Sequence, residues 1–296
     1  MNRISAKIIA DSKNESGQRA TSFVLVFPRI VLAEFNTHRM LSRNSASSRA
    51  IPYKKLLSKA WNEGFTPIAF QKDHSGMQGT EYFSGVALWF RIQLWLLAKT
   101  ISIGISWVLS KFNVTKQICN RLLEPFLYHT VICTGTEWQN FFALRDHPAA
   151  EIHIADLAHK MLIAYNESTP TILKEDEWHI PFGDQMDDER LWQLVKEKYP
   201  SSEYSHGEKD HEINEYRIKI ATARCARVSY LNFEGKDDYK ADIALYDKLS
   251  SMGHYSPFEH CARATGKKWS GNFKGFIQLR KTLQNENKKD PRVIIK

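Results

Sequence analysis

Between Phe23 and Arg49 the chain changes character abruptly. An apolar run, Phe23 to Leu32, leads almost directly into Thr37-His38-Arg39-Met40-Leu41-Ser42-Arg43-Asn44-Ser45-Ala46-Ser47-Ser48-Arg49. The apolar run belongs to a core, and the stretch behind it is dense in His, Arg, Ser and Asn. Buried polar groups are costly unless something pairs with them. A fold containing this junction must carry the polar stretch to a place where an anionic group is bound, because guanidinium and hydroxyl donors suit such a group best.

The chain has 296 residues, 43% of them hydrophobic, and a net charge of +8. That length fits one large domain, residues 1–296, carrying a sizeable insertion. The basic balance suits nucleic acid and, equally, nucleotide and cofactor phosphates. Cysteines 119, 133, 225 and 261 are scattered with no C-x-x-C pair. This argues against a zinc site or a disulfide framework and fits a reducing compartment. Residues 1–7 contain no apolar leader core, so a cytoplasmic location without a membrane is expected.

Residues 85–112 are long and apolar enough to raise the question of a membrane span. On a helical wheel Arg91, Lys99, Ser102, Ser106 and Ser110 fall within an arc of about 100°, while Gln93, Thr100 and Lys111 lie outside it. A greasy helix with a narrow polar stripe is read as a core or subunit-interface helix.

Lys7–Ala10 and Ser22–Val26 read as strands around a polar turn, Asp11–Thr21. Ile30–Leu41 reads as a helix with Glu34 and His38 one turn apart. Helices are also expected from Pro52 to Ala60, from Gly85, and over Thr115–Leu123, Glu137–Leu144, Glu151–Tyr165, Tyr216–Val228 and Asp237–Met252. Asn62–Thr80 reads as a loop, Asp184–Glu215 as a charged surface segment, and Lys281–Lys296 as a basic tail.

His38, Arg39, Ser42, Asn44, Ser47 and Arg49 have the spacing of R-H-R-x-x-S-x-N-E-x-S-x-R, with Thr37 and Ser45 departing from it. Asn120-Arg121-Leu122-Leu123-Glu124-Pro125 with Tyr128-His129-Thr130 is similar to A-R-x-x-L-P…Y-T. Asn140-Phe141-Phe142-Ala143-Leu144-Arg145 is similar to N-F-x-x-L-R. Ala226-Arg227-Val228-Ser229-Tyr230 and Gly253-His254-Tyr255-Ser256-Pro257-Phe258-Glu259-His260 are similar to A-A-R-V-S-Y and G-H-x-S/T-P-F-E-H. On these segments the chain resembles the flavin-dependent thymidylate synthases (ThyX), with the last two elements after the first rather than before it. That order is one a circular permutation produces.

The resemblance implies an α/β (α+β) fold with a central antiparallel sheet flanked by helices, permuted, and a helical insertion at about 81–114. It implies conversion of dUMP to dTMP with FAD as cofactor and methylenetetrahydrofolate and NADPH as co-substrates, in a homotetramer. It places Glu34, Ser45, Ala46, Ser47, Arg49, Arg121 and Arg145 at the pyrimidine nucleotide, with Arg145 catalytic against its O2/N3 edge. It places His38, Arg39, Met40, Asn140 and His260 at the flavin. Residue chemistry supports this independently. Uracil C5 is a poor nucleophile, and a guanidinium held at O2/N3 favours the enolate-like form that pushes electrons to C5. Arg145 follows Phe141, Phe142 and Leu144, so its charge is expected to be buried against an acceptor.

Glu34, Thr37 and Ser45 depart together from the family pattern. They keep open a related one-carbon transfer to another pyrimidine nucleotide such as dCMP, because a carboxylate accepts from a cytosine amino group. A third class, a non-catalytic nucleic-acid binder, would use Lys/Arg interleaved with exposed aromatics across Arg263–Lys281. A packed element with a solvated basic edge is the favoured reading of that segment.

Overall fold

The computed structural model describes residues 3–75, 79, 81–198, 206–228, 237–284 and 286. Ser229, Tyr230 and most of the expected basic tail lie outside them. Two long strands open the chain, β1 (Ser5–Asn14) and β2 (Arg19–Pro28). They pair antiparallel and turn through Gly17 at φ +84°, a conformation that glycine adopts without a Cβ penalty. Both strands outrun the apolar runs that announced them. Polar residues expected in the turn form strand instead, because they satisfy one another. Arg19 Nε donates to Asp11 Oδ1 at 2.9 Å, Thr21 Oγ1 donates to the same oxygen at 3.0 Å, and Arg19 stacks on Tyr165.

A short helix α1 (Leu32–Asn36), an edge strand β3 (Ser42–Ser45) and helices α2 (Tyr53–Glu63), α3 (Gly85–Lys111) and α4 (Lys116–Leu123) follow. Strand β4 (Tyr128–Gly135) then enters between β3 and β2, and helices α5 (Gln139–Arg145) and α6 (Ile152–Glu167) follow it. Strand β5 (Thr171–Leu173) runs parallel to β1 and completes a five-stranded sheet in the order β3-β4-β2-β1-β5. A second, three-stranded antiparallel sheet has β7 (Ala262–Ser270) between β6 (Trp178–His179) and β8 (Phe273–Gln278). Helices α7 (Asp188–Lys198), α8 (His206–Arg227), α9 (Tyr239–Met252) and α10 (Leu279–Thr282) complete the described chain. The fold is thus α/β of the α+β kind, with antiparallel pairing dominant.

Phe23, Leu25, Val131 and Cys133 on one sheet face meet Ile154, Leu157, Ala158 and Met161 of α6. On the other side Ile132 joins a core with Leu191, Val195, Ile220, Cys225 and Phe258. The charged segment Asp184–Glu215 is therefore not wholly surface. Met186, Leu191, Val195 and Ile213 are buried, because the charges of α7 and of the first turns of α8 lie on their outer faces, whereas Arg224 and Arg227 at the end of α8 are buried against Asp242. All four cysteines are free and buried.

The expected helix Ile30–Leu41 stops at Asn36. Carbonyls that a further helical turn would use are taken by side chains: Thr37 Oγ1 donates to Glu34 O at 2.7 Å, and Arg43 Nη1 donates to Phe35 O at 3.2 Å and His38 O at 2.9 Å. Such local bonds compete with helix continuation. His38 therefore sits in the turn after α1, not on its face.

Candidate active site

The polar signature is delivered by an edge strand, and side chains from distant segments hold it. Asn44, buried in β3, donates from Nδ2 to Cys225 O at 2.6 Å and accepts at Oδ1 from Ser256 Oγ at 3.1 Å. One side chain thus ties the signature to α8, next to Ala226-Arg227, and to the segment that ends at His260. Asn272 donates to Met40 O at 3.0 Å, and Gln278 donates to Ser42 Oγ at 2.8 Å, binding the β7–β8 hairpin to the same strand. Neither Asn272 nor Gln278 stands in any motif, so sequence reading had no signal for them.

Helix α5 begins just beyond β4. Its position is fixed by aromatic packing: Trp138 sits edge-on to Phe23 at 5.2 Å, and Phe141 sits edge-on to Phe35 at 5.7 Å and to His38 at 4.9 Å. The helix ends on Arg145, whose Nε donates to His38 Nε2 at 2.8 Å and whose Nη2 donates to Thr37 Oγ1 at 3.3 Å. Arginine does not give up its proton, so Nε2 accepts and the imidazole proton sits on Nδ1. Partial burial, then the charges of Arg145 and Arg43, push His38 down from 6.5 to about 4. His38 is neutral at physiological pH and serves as an acceptor. Arg145 is half-buried rather than fully buried, and its acceptor is a ring nitrogen of its own chain. Its Nη1 has no protein partner among the described residues and is open to a ligand.

Glu34 lies one hydrogen-bonded step away, through Thr37, and its Oε2 is buried with no hydrogen-bond partner. Arg39 and Met40 are exposed in the same turn as His38, and Asn140 is exposed on α5. Of the residues assigned to nucleotide and flavin, the side-chain contacts join Arg145 with His38 and, through Thr37, with the end of α1.

The second cluster lies along the loop after β3. Ala46 is buried and extends the sheet, its N–H donating to Thr130 O at 2.9 Å. Ser47 O closes the next turn by accepting from Ala50 N and Ile51 N, each at 3.1 Å. Buried Asn120 donates to Ser48 O at 2.6 Å and Ile51 O at 3.1 Å. That pins α4 to the loop, with Lys116 donating to Ala50 O at 3.3 Å; Arg121, next in sequence to Asn120, and Arg49, next to Ser48, are both exposed. Ser45 and Ser47 are half-buried. Asn120 was visible in the sequence only as the neighbour of Arg121.

His260 is not with them. It is fully buried between the two sheets, its Nδ1 2.9 Å from Thr134 Oγ1 and its Nε2 unpartnered. The ring has no exposed surface, unlike Arg39, Met40 and Asn140, with which the resemblance grouped it. It belongs instead to a buried polar chain: Thr134 Oγ1 lies 2.6 Å from Ser22 Oγ, which lies 2.8 Å from His179 Nε2, whose Nδ1 lies 2.9 Å from Ser12 Oγ.

In the segment offered to nucleic acid, Phe273 and Phe276 are buried and Trp269 is the exposed aromatic of the hairpin. That is a packed strand pair with a solvated basic edge.

No family model matches the chain, and no curated protein matches it in sequence. Among solved structures it is similar to the UMP/dUMP methylase PolB from Streptomyces cacaoi bound with 5-Br UMP: 14% identity over 56% of this chain and 90% of that one, TM-score 0.46. The same methylase bound with 5-Br dUMP gives 13% identity over 56% and 91%, TM-score 0.47. The flavin-dependent thymidylate synthase ThyX from Helicobacter pylori, complexed with FAD and dUMP, gives 19% identity over 49% and 67%, TM-score 0.34. At these identities and overlaps no residue role passes from those proteins to this chain.

Proposed function

We propose that this protein is a flavin-dependent methyltransferase that converts dUMP to dTMP. The observation that supports it best is the Arg145–His38 pair, which joins two of the resembling segments, the turn after α1 and the end of α5. The neutral imidazole fixes the guanidinium plane while leaving Nη1 for the O2/N3 edge of a pyrimidine. Arg43 fixes the turn that carries His38. Arg121 and Arg49 take the phosphate, with Ser47 and Ser45 between them and the base. Arg39, Met40 and Asn140 offer the surface on which FAD rests. When bound, FAD would supply two-electron reduction, with NADPH as the source of electrons and methylenetetrahydrofolate as the one-carbon donor, tetrahydrofolate leaving and the C5 proton going to solvent. Arg39 and Asn140 are exposed in the single chain, so a second copy closes the site, as the homotetramer of the resembling family would.

The reading is tested by the visible absorption spectrum of the purified protein, where flavin absorption is expected, and by product analysis with dUMP. A colourless protein that binds no added FAD overturns it. Arg39→Ala is expected to lower flavin occupancy without changing the melting temperature. Arg121→Ala is expected to weaken dUMP binding roughly ten- to hundredfold in calorimetric titration, the scale of one charge-assisted contact at about 1.5–3 kcal/mol. Unchanged affinity removes Arg121 from the phosphate site.

One observation favours a second reading, transfer to a cytosine nucleotide. Glu34 Oε2 is buried and lacks a donor, and the 4-amino group of cytosine supplies one. Turnover of dCMP in preference to dUMP, abolished by Glu34→Gln, would establish it.

A further inference from the structure

Helix α3 is built inside out. Its polar stripe faces the protein: Arg91 stacks on Phe83 at 3.4 Å, and Ser106 is buried and donates to Cys119 O at 2.9 Å. Lys99 lies over Gly64, where an added Cβ would come within 2.9 Å of the lysine Cδ. The solvent side is predominantly apolar, with Val86 82% exposed, Trp89 61% and Phe112 78%, interrupted by exposed Gln93, Thr100 and, in the last turn, Lys111. With aromatic side chains covering about 150–250 Å² each, the exposed apolar band is on the order of 1,000 Å². The largest such patch on an ordinary monomer is about 300–600 Å², and a stable interface covers about 800 Å² per partner. The band is too large to face water and large enough to hold a partner.

We infer that the occupant is a second copy of this chain, with the two α3 helices antiparallel across a two-fold axis. The row of exposed side chains has the symmetry that such a contact needs. Trp89 and Phe90 stand at one end, Trp107 and Phe112 at the other, and Leu97 and Ile101 at the centre. With the axis midway between Leu97 and Ile101, Leu94 meets Gly104 of the other copy. Gly104 carries no side chain, and nothing lies within 4 Å of where its Cβ would be. Antiparallel helix dipoles also attract. A bilayer fits less well. A helix lying in a lipid surface carries its cations on the face toward headgroups, whereas Arg91 stacks on Phe83 and Lys99 lies over Gly64, leaving only Lys111 in the last turn exposed. A spanning helix would drag α2 and α4, packed along it with exposed Lys54 and Lys116, into hydrocarbon.

The test uses the full chain in detergent-free buffer at about 10 μM, a concentration at which an interface of this class is occupied. Light scattering should give a mass of an even number of copies. Leu97→Glu and Ile101→Glu should each halve it, with helical circular dichroism and melting temperature retained. A single-copy mass for the wild type, or an unchanged mass for both variants, overturns the inference. So does co-sedimentation of the wild type with phosphatidylcholine–phosphatidylglycerol vesicles that Leu97→Glu abolishes without altering the mass. Spin labels on introduced cysteines test the orientation, the four native thiols being buried. Labels at Leu97→Cys should approach within roughly 15 Å, whereas labels at Val86→Cys should lie about 40 Å apart, from a rise of 1.5 Å per residue on each copy. Close approach at both positions means a parallel pair and overturns the geometry. The Leu97→Glu and Ile101→Glu arms and the label distances report on α3 alone, so their failure is distinguishable from failure of the methyltransferase reading, which flavin binding and turnover test.

Discussion

Replacing Arg145 by lysine is expected to lower kcat by roughly a hundredfold or more, the scale of removing one preorganised donor at a developing charge, while dUMP affinity changes far less. Arg145 already spends Nε on His38 and Nη2 on Thr37, so its orientation is fixed before substrate arrives. Lysine keeps the charge but has a single point of donation. It can satisfy His38 or the pyrimidine edge, not both in one plane. The phosphate site proposed at Arg49 and Arg121 draws on other elements, the loop after β3 and α4, which is why binding and turnover are expected to separate. Steady-state rates with bound flavin quantified in the same sample check this. A wild-type rate for Arg145→Lys removes the proposed mechanism.

The His38 contact adds a condition. Burial and two neighbouring arginines hold the imidazole at about 4, so it remains an acceptor down to that pH. A protonated His38 would turn a second donor toward Arg145. His38→Gln retains an acceptor and should keep part of the rate. His38→Lys presents a cation to the guanidinium and should lose it.

The central hairpin was legible because apolar runs such as Phe23–Leu25 have nowhere to go but a core. The meeting of the motif segments was legible only through resemblance. Its cause, the two hydrogen bonds of Asn44, spans sequence separations that no local pattern encodes. Helix periodicity carried Ile30–Leu41 too far because propensity does not see Arg43 reaching back to Phe35 O and His38 O. The polar stripe of α3 was read correctly as a stripe, but a helical wheel says nothing about which side meets the protein. Ser12, Ser22 and Thr134 are polar strand positions of the kind an open sheet face shows to water, yet they are buried against His179 and His260. His260 was assigned to the flavin through the motif Gly253–His260, and a motif does not show the layer that covers the ring.

Acid is expected to destabilise the protein through that covered layer. His179 and His260 are fully buried, and burial pushes them from 6.5 to about 4 and about 3. Asp11 opposes the shift at His179, and His179 itself adds to the shift at His260. Both rings are neutral in the fold, sharing hydrogens with Ser12, Ser22 and Thr134. A base with a depressed folded value binds protons in the unfolded chain first. Stability from these rings is therefore fully present above about pH 7, begins to fall as pH drops through 6.5, and goes on falling toward the folded values. Near pH 4.5 the unfolded chain holds both protons and the fold almost neither, a loss on the order of 5 kcal/mol for the pair. That is comparable to the whole stability of many domains. Denaturant titrations from pH 7 to 4.5 should show it. His260→Gln, which can still bond Thr134 but does not titrate, should cut the slope over that window by about one proton, near 1.4 kcal/mol per pH unit. Thr134→Val instead strips the shared hydroxyl from Ser22 and His260 and should cost about 1–3 kcal/mol at pH 7. An unchanged pH slope in His260→Gln would mean that the ring is hydrated and protonated in the fold, and that the two sheets do not enclose it.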